Sequence, residues 1–368
     1  MLLCLQHSVF CLLIKVYLSL SIMFQIFTIA FTADRNFSIP LGMAVYSLLL
    51  HALPGRRFDI HVLDGGVSDQ VKEQIESLKK QHSNFTITYW DLSSRFKDLP
   101  STFRFTTAAY YRLLLSSLLP KVDKVFYTDA DILVCEDLGE LFDFELGDCY
   151  AGATQELSYA KSAHDSFGEY RKYFNIPNDG TPYYCAGQML FNLKRMREDR
   201  IEEKMLEIAY STPPEALKAQ DQDIINCAMH GRIKTIPYKF ASIAFFEDRI
   251  LKGNYMEDIG DQCAHSEEEL KYAAMHPVVI HYATAKPNIL VGPRNRQEER
   301  FFMLWKKSPW KNKIPYEPIK IRELAQKVHP CIGKLLMAFP RLAIRCPRLL
   351  KIYGSLLSFG TRVVRTQS

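Results

Sequence analysis

The chain has 368 residues, 48% apolar, 24% charged and 12% aromatic, which suits one large α/β domain with appendages, or two ordinary domains, and argues against disorder. Its nine cysteines (4, 11, 135, 149, 185, 227, 263, 331 and 346) show no Cys-x-x-Cys and no regular spacing, which argues against a disulfide framework or structural zinc and fits a reducing cytosol. The charge of +5 is uneven: residues 324–368 carry eight Lys or Arg and no acid, leaving 38 basic against 41 acidic groups before them; no nucleic-acid-binding motif accompanies the basic tail.

Residues 1–31 are mostly apolar, with Lys15 the only Lys or Arg. A signal anchor is one reading, but the run passes without a cleavage pattern into Ile26-Phe-Thr-Ile-Ala-Phe-Thr32, which reads as the first strand, so residues 1–22 are expected to be an apolar leader that translation from Met23 would omit. A helix is expected from Ile39 to His51, a strand over Phe58–Leu63, a polar helix from Ser68 to His82, and an alternating strand over Phe85–Trp90. Thr106 is placed to cap a helix running through Leu119. Further on, Tyr150–Thr154 reads as a strand, Arg195–Tyr210 as a helix, Gln220–Asn226 as the opening of another helix, and Pro277–His281 as a strand. This alternation predicts an α/β fold with a mixed, mainly parallel sheet covered on both faces and a ligand crevice at the strand ends.

The stretch Lys124-Val-Phe-Tyr-Thr-Asp129-Ala130-Asp131-Ile-Leu-Val134 stands at the centre. Apolar runs flank the two acids, so a buried strand is expected to carry them out at its C-terminal end. Residues i and i+2 of an extended chain point the same way, and two carboxylates so placed present hard oxygen ligands to Mg²⁺ or Mn²⁺ bridging a diphosphate. Asp-x-Asp also occurs in turns, where the side chains bond nearby backbone.

Five further pieces share an order with this one: Phe31-Thr32-Ala33-Asp34-Arg-Asn36-Phe37, Tyr110-Tyr-Arg112, Cys185-Ala186-Gly187 through Asn192, Asp221-Gln222-Asp-Ile-Ile-Asn226, and His281 with Lys286-Pro287. Together they resemble the glycosyltransferase family 8 enzymes, notably bacterial lipopolysaccharide galactosyl- and glucosyltransferases, over about residues 26–290. That resemblance implies a GT-A, Rossmann-like nucleotide-sugar fold, a UDP-sugar donor such as UDP-glucose or UDP-galactose, Mn²⁺ or Mg²⁺, and transfer with retention to a saccharide or lipid-linked saccharide acceptor.

Residue by residue, the resemblance implies that Thr32, Ala33, Asp34, Asn36 and Phe37 cradle uridine, and that Arg112 lies by the donor sugar. Asp129, Asp131 and His281 would bind the metal. Ala130, Cys185, Ala186 and Gly187 would line the donor site, and Lys286 would face the diphosphate. Asp221 would hold sugar hydroxyls, and Gln222 would lie beneath the anomeric carbon. Three departures from the family pattern stand out. Phe37 replaces a usual Tyr, Cys185 replaces an Asn, and the closing loop His281–Asn288 is one residue short and lacks its Gly. Each assignment has a plainer alternative: a core histidine for His281, turn formers for Asp34 and Asn36, an intrahelical ion pair for Arg112, and a helix cap for Asp221.

Residues 23–308 are expected to form the GT-A domain and 309–368 a basic helical tail. Within the tail, Leu, Ile, Phe and Val interleave with Arg341, Arg345, Arg348, Lys351 and Arg362, a composition suited to an anionic membrane surface or, alternatively, to a terminal helix docked on the enzyme. The expected location is the cytoplasm, peripheral to the inner face of the membrane. A catalytically impaired nucleotide-sugar or glycan binder is the alternative to an active transferase.

Overall fold

The computed structural model describes residues 26–101, 106–157, 170–253, 263–283 and 295–311. The expected leader, Lys286 and the basic tail beyond Lys311 lie outside them. The chain forms two compact units, one of residues 1–284 with 303–311 and one of 285–302 with 312–368. Of the second, residues 295–302 are described; they open a helix, Arg296–Trp305, whose Glu298 N–H is capped by the Asn295 side chain at 2.9 Å.

In the first unit, β1 (Ile26–Asp34) lies parallel to β2 (Arg57–Gly65) across nine register pairs, and β2 is parallel to β3 (Phe85–Asp91). On its other side β1 is parallel to β4 (Lys124–Asp129), with Thr32 opposite Asp129. The sheet continues through β7 (Tyr184–Asn192), β6 (Ala151–Gln155) and β8 (Ile233–Thr235), in the order β3-β2-β1-β4-β7-β6-β8. Pairs β4·β7 and β6·β7 are antiparallel and β6·β8 is parallel. The expected mixed, mainly parallel sheet is therefore present. Its central strands are apolar along nearly their whole length because both faces are covered.

One face is covered by α1 (Ser38–Leu50), which is apolar around most of its circumference and buries Leu41, Ala44, Val45 and Leu48. The other carries a large cluster that includes Leu113, Tyr127, Met189, Phe191, Met205 and Ile225. Residues 303–311 return to α1, where a Cβ on Gly42 would lie 2.6 and 2.7 Å from atoms of the fully buried Trp310 ring. Glycine is required there by close approach, since the helix leaves no room for both a methyl group and the indole.

A second sheet, absent from the sequence reading, has the order β5-β10-β9, from Ile132–Val134, Val279–His281 and Ser242–Ile243. The expected single strand through the two acids is thus two strands in different sheets. Chain bending at Ala130 and Asp131 carries it from β4 into β5, and Ser47 of α1 accepts the Val134 N–H at 3.0 Å. Two helix expectations change as well. The segment after Thr106 is a 3-10 turn run over Thr107–Leu114, followed by a short α3 (Leu115–Leu118), and the Thr106 hydroxyl donates to Asp34 Oδ2 at 3.3 Å rather than capping. The helix expected over 195–210 divides into Leu193–Glu198 and Ile201–Ser211 at Arg200, whose φ is +55°.

Gly42→Ala is expected to overpack the Trp310 contact and lower the unfolding free energy by about 1–3 kcal/mol, measured by urea titration with indole fluorescence. Unchanged stability would show that residues 303–311 do not hold α1 in this way.

Candidate active site

The site lies where β4 ends. Asp129 is half-buried at that end, and Asp131, just past the bend, is buried. The two acids converge because the chain turns between sheets, not because one extended strand presents both, as the i, i+2 argument expected. β10 brings the third member: it pairs antiparallel with β5, His281 opposite Ile132, and the Tyr282 N–H donates to the Asp131 carbonyl at 2.9 Å. His281 Nε2 therefore stands 3.6 Å from Asp131 Oδ1 and 3.8 Å from Asp129 Oδ2. One ligand atom from each residue can be chosen so that all lie within 4.8 Å of one another.

These three residues fit a divalent cation. They offer two carboxylates and an imidazole, a donor set suited to Mn²⁺ or Mg²⁺. His281 is buried, and among the described residues its Nδ1 has no hydrogen-bond partner. Gly187 lines the cradle, since a Cβ there would lie 2.5 Å from His281 Cε1 and 3.1 Å from Asp129 Oδ2.

Behind the acids lies a buried ion network. Arg112, from the 3-10 run, donates to Asp129 Oδ1 at 2.8 Å, pairs through Nε with Asp221 Oδ2 at 3.1 Å and donates to the Ala186 carbonyl. Its guanidinium lies 4.4 Å from the centre of the Tyr127 ring, and the Tyr127 hydroxyl donates to the same Asp129 oxygen at 2.8 Å. The intrahelical pairing considered for Arg112 is thus replaced by carboxylate partners on two other elements and a carbonyl on a third. Burial disfavours the charged guanidinium, but Asp129 and Asp221 more than offset this and hold it well above its ordinary value. Burial likewise pushes the Tyr127 phenol well above its usual range, which keeps it a donor.

The helix Asp221–Ala228 (α7) supplies the remaining polar groups. Asp221 opens it without capping it. Gln220 occupies the cap position with φ +47°, a strained conformation for a residue with a side chain, and its Nε2 donates to the Pro100 carbonyl at 3.2 Å. Gln222 Oε1 accepts the Ala186 N–H at 2.9 Å. One turn on, Asn226 exchanges hydrogen bonds with the Tyr184 N–H and carbonyl at 2.7 and 2.8 Å. Side chains of α7 thereby satisfy backbone groups at the start of β7 that extra strand pairing would otherwise take. Asp223 accepts from the Tyr183 hydroxyl and the Ala219 N–H, fixing the turn before the helix.

The other expected residues are placed as follows. Cys185, Ala186 and Gly187 are buried along the opening of β7, and burial raises the Cys185 thiol well above its ordinary range, so it is an unreactive thiol there. Ala130 is buried at the bend between the acids. Thr32 and Ala33 end β1 in buried positions. Asp34 Oδ1 accepts the N–H groups of Asn36 and Phe37 at 2.8 and 3.2 Å, the turn-forming role considered for it, while Asn36 is exposed. Tyr127 and the strand-like role of Asn226 were missed; Tyr127's place two residues before Asp129 on one strand face was the available signal.

The sequence profile described as "Glycosyl transferase family 8" matches residues 28–287. The chain belongs to glycosyltransferase family 8. Among relatives, it is 27% identical over 220 residues to the lipopolysaccharide 1,3-galactosyltransferase of Salmonella typhimurium, covering 58% of this chain but only 63% of that protein. It is 23% identical over 295 residues to a lipopolysaccharide 1,2-glucosyltransferase of Escherichia coli, covering 80% and 81%. The crystal structure of the galactosyltransferase LgtC, in complex with donor and acceptor sugar analogs, superposes with a TM-score of 0.61 at 26% identity, over 77% of this chain and 96% of LgtC. The fold of this family 8 chain is accordingly the expected GT-A arrangement.

Asp221 offers a titration test. Burial raises its pKa to about 7, against the pull of Arg112 and with a further push from Asp129. A carboxyl protonated in the folded state and ionised in the unfolded state above about pH 4 lowers stability as pH rises. Between about pH 4 and 7, the stability of Asp221→Asn relative to the native protein is therefore expected to increase with pH and to level off above 7. Parallel urea titrations of the two proteins check this, and a difference independent of pH would exclude the raised value.

Proposed function

We propose that this family 8 chain is a metal-dependent, retaining hexosyltransferase that moves glucose or galactose from a UDP-sugar to a saccharide acceptor of lipopolysaccharide or another surface glycan. The observation that carries the reading is the convergence of Asp129, Asp131 and His281 beside a buried arginine, in a family whose relatives named above are lipopolysaccharide galactosyl- and glucosyltransferases.

A divalent cation bound by Asp129, Asp131 and His281 would neutralise negative charge developing on the departing diphosphate. Arg112, held in place by Asp129 and Asp221, directs a positive charge along the same wall. Asp221 is placed to accept hydrogen bonds from sugar hydroxyls once ionised. Gln222, its oxygen engaged by the Ala186 N–H, is a neutral amide and a poor covalent nucleophile beside the carboxylates of retaining glycosidases. Retention then follows a front-face path in which the departing phosphate accepts the acceptor's proton. Thr32 to Phe37, at the end of β1, form the uridine side, and Lys286, which the family resemblance assigns to the diphosphate, lies outside the described residues. Residues 23–308 are the catalytic part in this reading.

The departure at Cys185 favours a second reading, a nucleotide-sugar or glycan binder of the same fold without turnover. A thiol donates hydrogen bonds more weakly than the amide it replaces. The two readings separate in an assay of UDP release from UDP-glucose and UDP-galactose with Mn²⁺. Slow release is expected from the native protein, reduced on the order of 100-fold in Asp131→Asn; binding without release across donors and metals would favour the second reading.

The proposed location is the cytoplasm, at the inner face of the membrane, reached through the basic tail. Among the described residues no helix is long and apolar enough to cross a membrane. Full-length protein is expected to float with anionic liposomes while a version ending at Lys327 stays behind; equal recovery of the two would remove the membrane role of the tail.

A further inference from the structure

We propose that Tyr127 is a positioning residue for the cation site, its hydroxyl sharing with Arg112 one oxygen of Asp129 so that the other oxygen is left to the cation. The proposal rests on the metal-dependent reading above.

Tyr127 and Asp129 are two residues apart on β4 and project from the same face. The Tyr127 hydroxyl and the Arg112 guanidinium both donate to Asp129 Oδ1, each at 2.8 Å. Asp129 Oδ2 turns the other way, toward His281 Nε2 at 3.8 Å, over the space that Gly187 leaves open. The carboxylate is thus divided: one oxygen belongs to the wall, the other to the site. Tyr127 is fully buried, its ring backed by Phe191 in an edge-on contact and faced by Arg112, so the hydroxyl has little freedom to leave.

Its removal has a specific consequence. A guanidinium is a planar fork that prefers to grip both oxygens of a carboxylate. In the native arrangement the phenol occupies part of Oδ1, and Arg112 spends other donors on Asp221 and the Ala186 carbonyl. Without the phenol, Asp129 can rotate to give Arg112 both oxygens, and the cation loses a ligand to an internal competitor. Hydrogen-bond partners behind metal ligands commonly influence affinity about 10- to 100-fold.

The test is Mn²⁺ binding, followed by electron paramagnetic resonance of the free ion without any sugar nucleotide, so that catalysis plays no part. Tyr127→Phe is expected to weaken Mn²⁺ binding about tenfold or more while its thermal midpoint stays close to native. Two further proteins guard against a folding defect. One carries p-aminophenylalanine at 127, which restores a donor, and the other p-methylphenylalanine, which fills the space without donating. The first is expected to bind Mn²⁺ nearly as the native protein does, and the second as weakly as Tyr127→Phe. Native affinity in the phenylalanine or p-methyl protein, or equal weakening in the p-amino and p-methyl proteins, overturns the positioning role. A native protein that binds no Mn²⁺ overturns instead the metal-dependent reading on which the role depends.

Discussion

The arrangement depends on one buried guanidinium. Arg112 ties together Asp129 at the end of β4, Asp221 at the start of α7 and the Ala186 carbonyl in β7, three segments distant in sequence. A half-buried carboxylate and a buried one held this close would repel each other and resist ionisation; a cation between them makes the cluster tolerable. Taking away only the arginine would leave uncompensated buried charge, a loss of about 3–5 kcal/mol. The same ion pairs that hold these segments in register also place Asp221 beside Asp129, so stability and the proposed chemistry share one set of contacts.

Around that point, backbone geometry decides what each side chain can do. The chain leaves the large sheet at Asp129 and enters the small one at Ile132, and the bend brings Asp131 within reach of an imidazole. β5 holds β10 antiparallel to it, so His281 arrives opposite Ile132. Gly187 keeps the intervening space open, because any Cβ there would strike the His281 ring. Gln222 and Asn226, one turn apart on α7, hold the start of β7 with side-chain hydrogen bonds. An amide so placed is a structural one, which limits how far it can move.

The alternation of strands and helices was legible along the chain because fully covered strands are continuous apolar runs and helices show a longer period. The acids were legible too, as charged residues bounded by such runs. What misled was continuity: Lys124 to Val134 reads as one strand because two short strands joined by a buried bend are as apolar as one long one. Thr106 carries a cap's chemistry and spends its hydroxyl on Asp34. Asp34 fits both a turn and a nucleotide contact, and in the structure one of its oxygens makes the turn. Tyr127 passed for core, since nothing in a strand's periodicity distinguishes a buried ring from a buried ring whose hydroxyl orients a ligand.

By itself, the sequence determined the α/β class, the family and the identity of the three prospective metal ligands, because these follow from local hydrophobic period and from residue types in a characteristic order. Only the tertiary structure decided that the acids and His281 meet across a second sheet, that Arg112 is a bridge between carboxylates rather than a helix-surface ion pair, and that Tyr127 shares in holding Asp129. Those outcomes depend on distances between segments far apart in the chain, set by strand register and by burial of charge, and no local pattern of residues encodes them.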